Sequence, residues 1–269
     1  MKKNDDPKAV RNANKPFKRR FPRDFVGALD KGLKIIEAFE TSAPNLSLTE
    51  VARRTGLTRA AARRYLLTLV SLGYAETDGK SFRLTPRILR LGYAYLSSAS
   101  LPKLAQPVLD GIGQKLREVV SLAILDGTEI VIIARSASLR MLSAATGIGM
   151  RLPAYCTAMG RVMLADLPRA EVEQLLAKTA IKQFTPHTKS DLKELLAEIA
   201  TARDKGYAIG DEELELGLRA IAVPVTNAQG RVVLSMSVSL QAARMTAREM
   251  IDKILPELNA ARPILSAAL

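Results

Sequence analysis

The sequence has a single cysteine, Cys156, and a single histidine, His187. One cysteine has no intramolecular disulfide partner, which fits a reducing compartment. Any metal centre would have to rely on carboxylates, because the thiolate and imidazole sets that hold zinc cannot be assembled. No Gly-rich phosphate loop precedes a helix, and no apolar run approaches the roughly 20 residues that cross a bilayer. The first residues, MKKNDDPKAVRNANKPFKRRFPRD, lack the apolar stretch of a secretory signal. These absences lead us to expect a cytoplasmic protein with no membrane partner, no metal and no cofactor.

With 269 residues, 48% of them hydrophobic, the chain can build one large core or two ordinary ones. Its formal charge of +13 is unevenly placed: residues 1–92 carry 20 of the 40 Lys and Arg but only 9 of the 27 Asp and Glu. A localised basic region points to a polyanion, nucleic acid above all. Residues 1–24, rich in Lys, Arg, Asn and Pro, have little to bury and read as a disordered basic tail.

From Phe25 to Thr41, Leu29, Leu33, Ile36 and Phe39 recur at helical spacing. Ser47 is a good N-cap, and Glu50 three residues on completes a capping box for a second helix over 48–55, which Gly56 ends. Thr58 caps a third helix reaching Leu72, whose Ala62, Leu66 and Leu69 face the other two. The same periodicity turns Arg59 and Arg63 outward together, with Arg64 beside them and the small Ala60 and Ala61 at the helix start. Long donors and small residues at the exposed start of a helix suit the edges of bases and phosphates in a DNA groove. YAETDGKSFRL follows, a hairpin around Asp78-Gly79 that places Lys80 at its tip. Helix, turn, arginine-bearing helix and hairpin in succession make a winged helix-turn-helix over 25–85, with Thr85-Pro86 opening a linker helix over 86–99. The DNA-contacting set is then Ser47, Thr58, Arg59, Ala60, Ala61, Arg63, Arg64 and Lys80.

Residues 100–269 alternate helices with apolar runs. VVSLAIL and EIVIIAR flank Asp126-Gly127 as a hairpin, MLSAAT reads as a strand before the Gly-rich loop GIGMRLP, and one helix is expected over most of 247–265. Helices bracketing a mostly antiparallel sheet make an α+β domain rather than a nucleotide-binding one. Ser237 and Ser239 alternate with Met236, Val238 and Leu240, so their hydroxyls share one side of a strand and could orient a carboxylate. Thr157 caps a helix whose first amides also favour an anion. Arg135 or Arg151 could compensate the charge. Cys156 with His187 as base would suggest instead a hydrolase or transferase with a basic accessory domain, but no third group orients them, and a buried structural cysteine is the simpler reading.

ALDKGLKIIEAF, SLTEVARRTGLTRAAARRYLLTLVSLGY, RLPAYCTAMGRVMLADL and GYAIGDEELELGLRAIAVPV followed by SMSVS resemble, in order, the IclR family of bacterial transcriptional regulators. RAAARRYL, LGYAYLSS and IARSAS are most similar to its branch regulating aromatic-acid and β-ketoadipate catabolism. The resemblance implies a winged-helix domain joined by a linker helix to a GAF-like effector-binding domain, not an enzyme. It implies double-stranded operator DNA and a small organic acid, aromatic or dicarboxylic, as partners, in a homodimer or dimer of dimers. It places the effector near Arg135, Gly147, Tyr155, Cys156, Thr157, Asp211, Ala220, Ser237 and Ser239. The chain departs from the family pattern at Gly210 and Ala220, where Asp and Cys are common.

Overall fold

A computed structural model describes residues 24–39, 43–98, 100–136, 147–267 and 269. They form two compact units, one ending at Ser98 and the other following it. The basic tail expected over 1–24 lies outside the described residues, apart from Asp24.

The first unit holds helices α1 (Gly27–Glu37), α2 (Leu48–Thr55) and α3 (Arg59–Ser71) with strands β1 (Leu46–Ser47), β2 (Ala75–Thr77) and β3 (Ser81–Leu84). A 3-10 turn over Pro86–Ile88 leads into α4 (Leu89–Ser98). The strands pair antiparallel in the order β1-β3-β2, so the hairpin is tied to the residues just ahead of α2. Ile35, Leu46, Val51, Ala62, Leu66 and Phe82 form the core. Its first helix departs from expectation. Ile35 is the buried residue of α1, while Leu29 and Leu33 remain 63% and 45% exposed. The apolar positions of α1 exceed what one helix face can bury, and packing selected Ile35. The helix ends at Glu37, short of the expected Thr41, and Ala38 and Phe39 have already left it.

The second unit begins with α5 (Ser100–Leu116), β4 (Val119–Asp126), β5 (Glu129–Arg135), β6 (Arg151–Pro153) and α6 (Ala158–Leu164). It continues with α7 (Arg169–Lys178), α8 (Leu192–Lys205), β7 (Ala208–Asp211), β8 (Leu218–Thr226), β9 (Val232–Gln241), α9 (Ala247–Lys253) and α10 (Leu255–Ser266). Six strands in the order β6-β5-β4-β9-β8-β7 pair antiparallel throughout. One sheet face packs Ala123, Ile132 and Ala222 against Val162 of α6 and Leu195 of α8. The other packs Leu122, Ile133 and Met236 against Leu109 of α5, Met250 of α9 and Leu258 of α10. Burial on both faces explains why these strands read as nearly continuous apolar runs. MLSAAT lies outside the described residues, and RLP, expected within a loop, forms β6 against β5. The single expected last helix is two, divided at Ile254, because Pro256 has no N–H to continue the ladder and instead suits a helix start.

Candidate functional site

In the first unit the cap and turn chemistry aims α3. The Ser47 backbone N–H donates to the Glu50 carboxylate at 2.8 Å and the Glu50 N–H to Ser47 Oγ at 3.3 Å, holding the start of α2. Gly56 adopts the left-handed conformation (φ 67°), which a side chain would strain, and the chain re-enters helix at Arg59. Thr58 Oγ1 accepts from the Ala61 N–H at 3.2 Å. With Ala62, Leu66 and Leu69 buried, Arg59, Ala60, Arg63 and Arg64 are exposed together, and Ala61 is half-buried. Among the described residues none of these three guanidinium groups is held in an ion pair, so they remain available to an anion.

The hairpin tip is built on Asp78. Its carboxylate accepts from the Lys80 and Ser81 N–H groups at 2.8 and 2.7 Å and from the Ser81 hydroxyl at 3.0 Å. Those donors, Ser81 first, hold it below the usual carboxylate range. Lys80 is exposed at the tip, whereas Arg83 is engaged by Glu76 at 2.6 Å. An exposed, basic helix start followed by a rigid hairpin can lie along a DNA groove with the tip against phosphate.

In the second unit a cavity of about 50 Å³ lies between the α6 side of the sheet and the turn after β7; Ser121, Cys156, Thr157, Glu213, Ser237 and Ser239 supply its polar lining. Cross-strand register explains the hydroxyls. Ser121 on β4 is opposite both Ser237 on β9 and Arg135 on β5, which puts all three on one face, and Ser239 is opposite Val119 and Ala220. The Ser237 hydroxyl is fully buried and, among the described residues, has no hydrogen-bond partner. Buried hydroxyls left unpaired are rare and costly.

Behind the cavity Arg161 and Glu213 form a buried bidentate pair. Nη1 and Nη2 of Arg161 each lie 2.6 Å from a Glu213 carboxylate oxygen, and neither side chain is more than 3% exposed. Arg161 Nε also donates to the Tyr155 carbonyl at 3.1 Å. Gly160 lets the helix carrying Arg161 fold against the segment that leads into it, where a Cβ would stand 2.2 Å from the Ala154 carbonyl oxygen. Glu213 is presented inward by a turn in which Glu212 has φ 56°, a conformation costly outside glycine. Thr185 and Thr188 hold that turn, donating to the Glu212 and Glu213 carbonyls at 2.7 and 2.6 Å.

The cavity gathers Cys156, Thr157, Ala220, Ser237 and Ser239, five of the nine residues that the resemblance implied. Tyr155 is buried, but its hydroxyl is spent on the Lys182 backbone, donating at 2.7 Å and accepting at 2.9 Å. Asp211 pairs across strands with Arg219 at 2.7 Å, and Gly147 sits in the turn that leads to β6, so neither lines the cavity. Thr157 Oγ1 caps α6, accepting from the Gly160 N–H and donating to the Pro153 carbonyl. Of the two arginines left open, Arg151 is matched by Asp126 and Glu129; Arg135 is half-buried in the serine row, where burial lowers its pKa. Burial first, then Glu213, pushes the Cys156 thiol up to about 12, which keeps it a small protonated residue and no nucleophile. His187 is exposed on a loop. Arg161 and Glu213 escaped the sequence reading; an arginine in the apolar stretch AMGRVML was the one available signal.

A helix-turn-helix unit with an exposed basic helix, followed by a ligand-cavity domain, defines a DNA-binding transcriptional regulator that responds to a small molecule. Residues 28–79 match the IclR helix-turn-helix domain and residues 93–267 the C-terminal domain of bacterial IclR regulators, so the chain belongs to the IclR family of bacterial transcriptional regulators. It is 43% identical over 239 residues to the Pca regulon regulatory protein of Pseudomonas putida, covering 88% of this chain and 82% of that one. It is 41% identical over 241 residues to the p-hydroxybenzoate hydroxylase transcriptional activator of Acinetobacter baylyi, covering 88% and 89%. Among solved structures, a double mutant of the inducer-binding domain of the PobR transcription factor from Acinetobacter, in complex with 3-hydroxybenzoic acid, superposes with a TM-score of 0.60 at 33% identity. That match covers 64% of this chain and all of that one. Among the described residues no helix is long and apolar enough to cross a membrane.

Removing one partner of the buried pair leaves an uncompensated interior charge. Arg161→Met is therefore expected to destabilise the protein by about 3–5 kcal/mol, and Arg161→Met with Glu213→Leu to recover most of that loss. Urea denaturation of the three proteins checks it; a double variant no more stable than the single one contradicts it.

Proposed function

We propose that this regulator works in the cytoplasm as a homodimer, gripping operator DNA through α3 and the hairpin tip, and that an aromatic carboxylic acid in the second-unit cavity alters the grip. In this scheme residues 25–85 hold DNA, 86–99 link, and 100–269 bind the effector. Arg59, Arg63 and Arg64 contact base edges or phosphate, with Thr58, Ala60 and Ala61 close to the groove; Ser47 lies at the start of α2, and Lys80 reaches phosphate. One winged helix reads only a few base pairs, so useful specificity calls for two on paired half-sites. The exposed apolar residues Phe25, Leu29 and Leu33 in and just before α1, and Leu89 and Tyr93 of α4, supply surface for a second copy.

The buried, unpartnered hydroxyl of Ser237 carries the effector assignment. A ligand oxygen placed there offsets a desolvation penalty already incurred by the fold, and Arg135 in the same cross-strand row adds positive charge. Two similar proteins support the aromatic class: one is named as activating p-hydroxybenzoate hydroxylase transcription, and the other is an inducer-binding domain complexed with 3-hydroxybenzoic acid. The cavity's ≈50 Å³ is well below the ~150 Å³ of an engineered cavity that accepts benzene, so a ring enters only when lining side chains such as Met159 and Leu214 move. That movement is the mechanical consequence of binding.

Saturating 4-hydroxybenzoate should raise the melting temperature, since a ligand selective for the folded state stabilises it. Ser237→Ala should weaken binding about fivefold, the equivalent of one ordinary hydrogen bond, without lowering the melting temperature of the free protein. Titration calorimetry and thermal melts check both; equal affinity in the variant would remove Ser237 from the site.

For DNA, Arg63→Ala should weaken operator binding and reduce the slope of log K against log salt by about 1.8, two phosphate contacts per dimer at ~0.9 each. A change near 0.9 would indicate one chain per operator, and no change would remove Arg63 from the phosphate contacts.

A further inference from the structure

Among the described residues that line the cavity one side chain is charged, and it is an anion. Of the residues that line it, Glu213 alone is charged; the others are apolar or carry neutral hydroxyl or thiol groups. Both Glu213 oxygens already accept from Arg161, and Oε2 accepts the Lys189 N–H at 3.3 Å as well. A carboxylate has about four lone-pair sites, so acceptor capacity remains toward the cavity. It has no proton to give.

The serines occupy a different place. Gly210, three residues before Glu213, is opposite Ala220 on β8, which is opposite Ser239 on β9. Two strand spacings, roughly 10 Å, thus separate Ser239 from Gly210. Ser121, Ser237 and Ser239 form a hydroxyl floor near the middle of the sheet, while Glu213 stands beyond the end of edge strand β7, with Leu214 and Met159 also lining the cavity. Glu213 disfavours the Cys156 thiolate and Arg161 favours it, so the charges of the pair oppose one another at the cavity wall, where the Lys189 ammonium also stands 3.9 Å from Glu213 Oε1. A ligand carboxylate at that position would face acceptor oxygens, which offer it no hydrogen-bond donor.

We infer that Glu213 is a specificity-determining residue which accepts a hydrogen bond from the end of the effector opposite its carboxylate, so that the site selects hydroxy- or amino-substituted aromatic acids and rejects dicarboxylates. The inference rests on the effector reading above and narrows it: the acid group faces the serine floor and the donor faces Glu213. Arg161 acts here as a positioning residue. It holds the Glu213 carboxylate in place, and it spends its own donors on that pair and on backbone carbonyls.

Calorimetric titration of the full chain with 4-hydroxybenzoate, 4-aminobenzoate, benzoate and terephthalate separates the two readings. The two donor-bearing acids should bind tightest. Benzoate should be weaker by roughly tenfold or more, the loss of a hydrogen bond to a charged acceptor, and terephthalate weaker still. Benzoate within twofold of 4-hydroxybenzoate, or terephthalate binding equally well, overturns the role of Glu213 while leaving the effector site standing. Failure of all four to bind removes the site itself, and this inference with it. Glu213→Gln adds a residue-level check, because its amide can donate to a second carboxylate: the preference for 4-hydroxybenzoate over terephthalate should fall at least tenfold. An unchanged preference in a folded variant counts against the assignment, and if the variant does not fold, the wild-type series decides.

Discussion

Burying a guanidinium and a carboxylate together contributes little net stability, because what their attraction gains is largely spent in stripping both of water. What the Arg161–Glu213 pair contributes is placement. Once Arg161 is interior it must be answered, and with Tyr155 O at its Nε it accepts Glu213 in one bidentate geometry. That requirement draws the turn after β7 onto α6, accommodates an unfavourable φ at Glu212, and sets one wall of the cavity. Gly160 leaves room for Ala154 against the same helix, and Gly210 of β7 packs where a Cβ would stand 3.3 Å from the Ala158 N. The turn is fixed from outside as well, by Thr185 and Thr188 on its carbonyls, so a displacement at the cavity is passed to the loop that carries them.

A parallel logic governs the first unit with apolar contacts in place of charge. Ala62, Leu66 and Leu69 seat α3 on α1 and α2, and because a helix cannot rotate without exposing that stripe, Arg59, Arg63 and Arg64 keep one outward direction. β1 ties the hairpin to the residues ahead of α2, so helix and tip are held by the same small core. In both units the candidate site groups are positioned by interior residues.

Features encoded within a few residues of one another were legible in the sequence. The Ser47–Glu50 capping box, the left-handed Gly56, the Thr58 cap and the Asp78-Gly79 turn each rest on local hydrogen bonding or on a single φ preference, and each stands where the residues indicated. The alternation of Ser237 and Ser239 likewise follows from strand periodicity. Less legible was anything set by competition between distant groups. α1 offers more apolar positions than the core can use, and only packing shows that Ile35 wins over Leu29 and Leu33. Tyr155 looks like a ligand group until the backbone bonds that occupy its hydroxyl are seen. Arg161 and Glu213 lie 52 positions apart, and nothing local to either announces the other.

The most direct test of an effector-responsive regulator is reciprocal linkage between its two sites. Operator affinity of the full chain, measured by fluorescence anisotropy with and without saturating 4-hydroxybenzoate, should change by a definite factor, and operator DNA should change the affinity for the acid by the same factor. An acid that binds in the cavity yet leaves operator affinity unaltered would contradict the coupling of cavity to DNA.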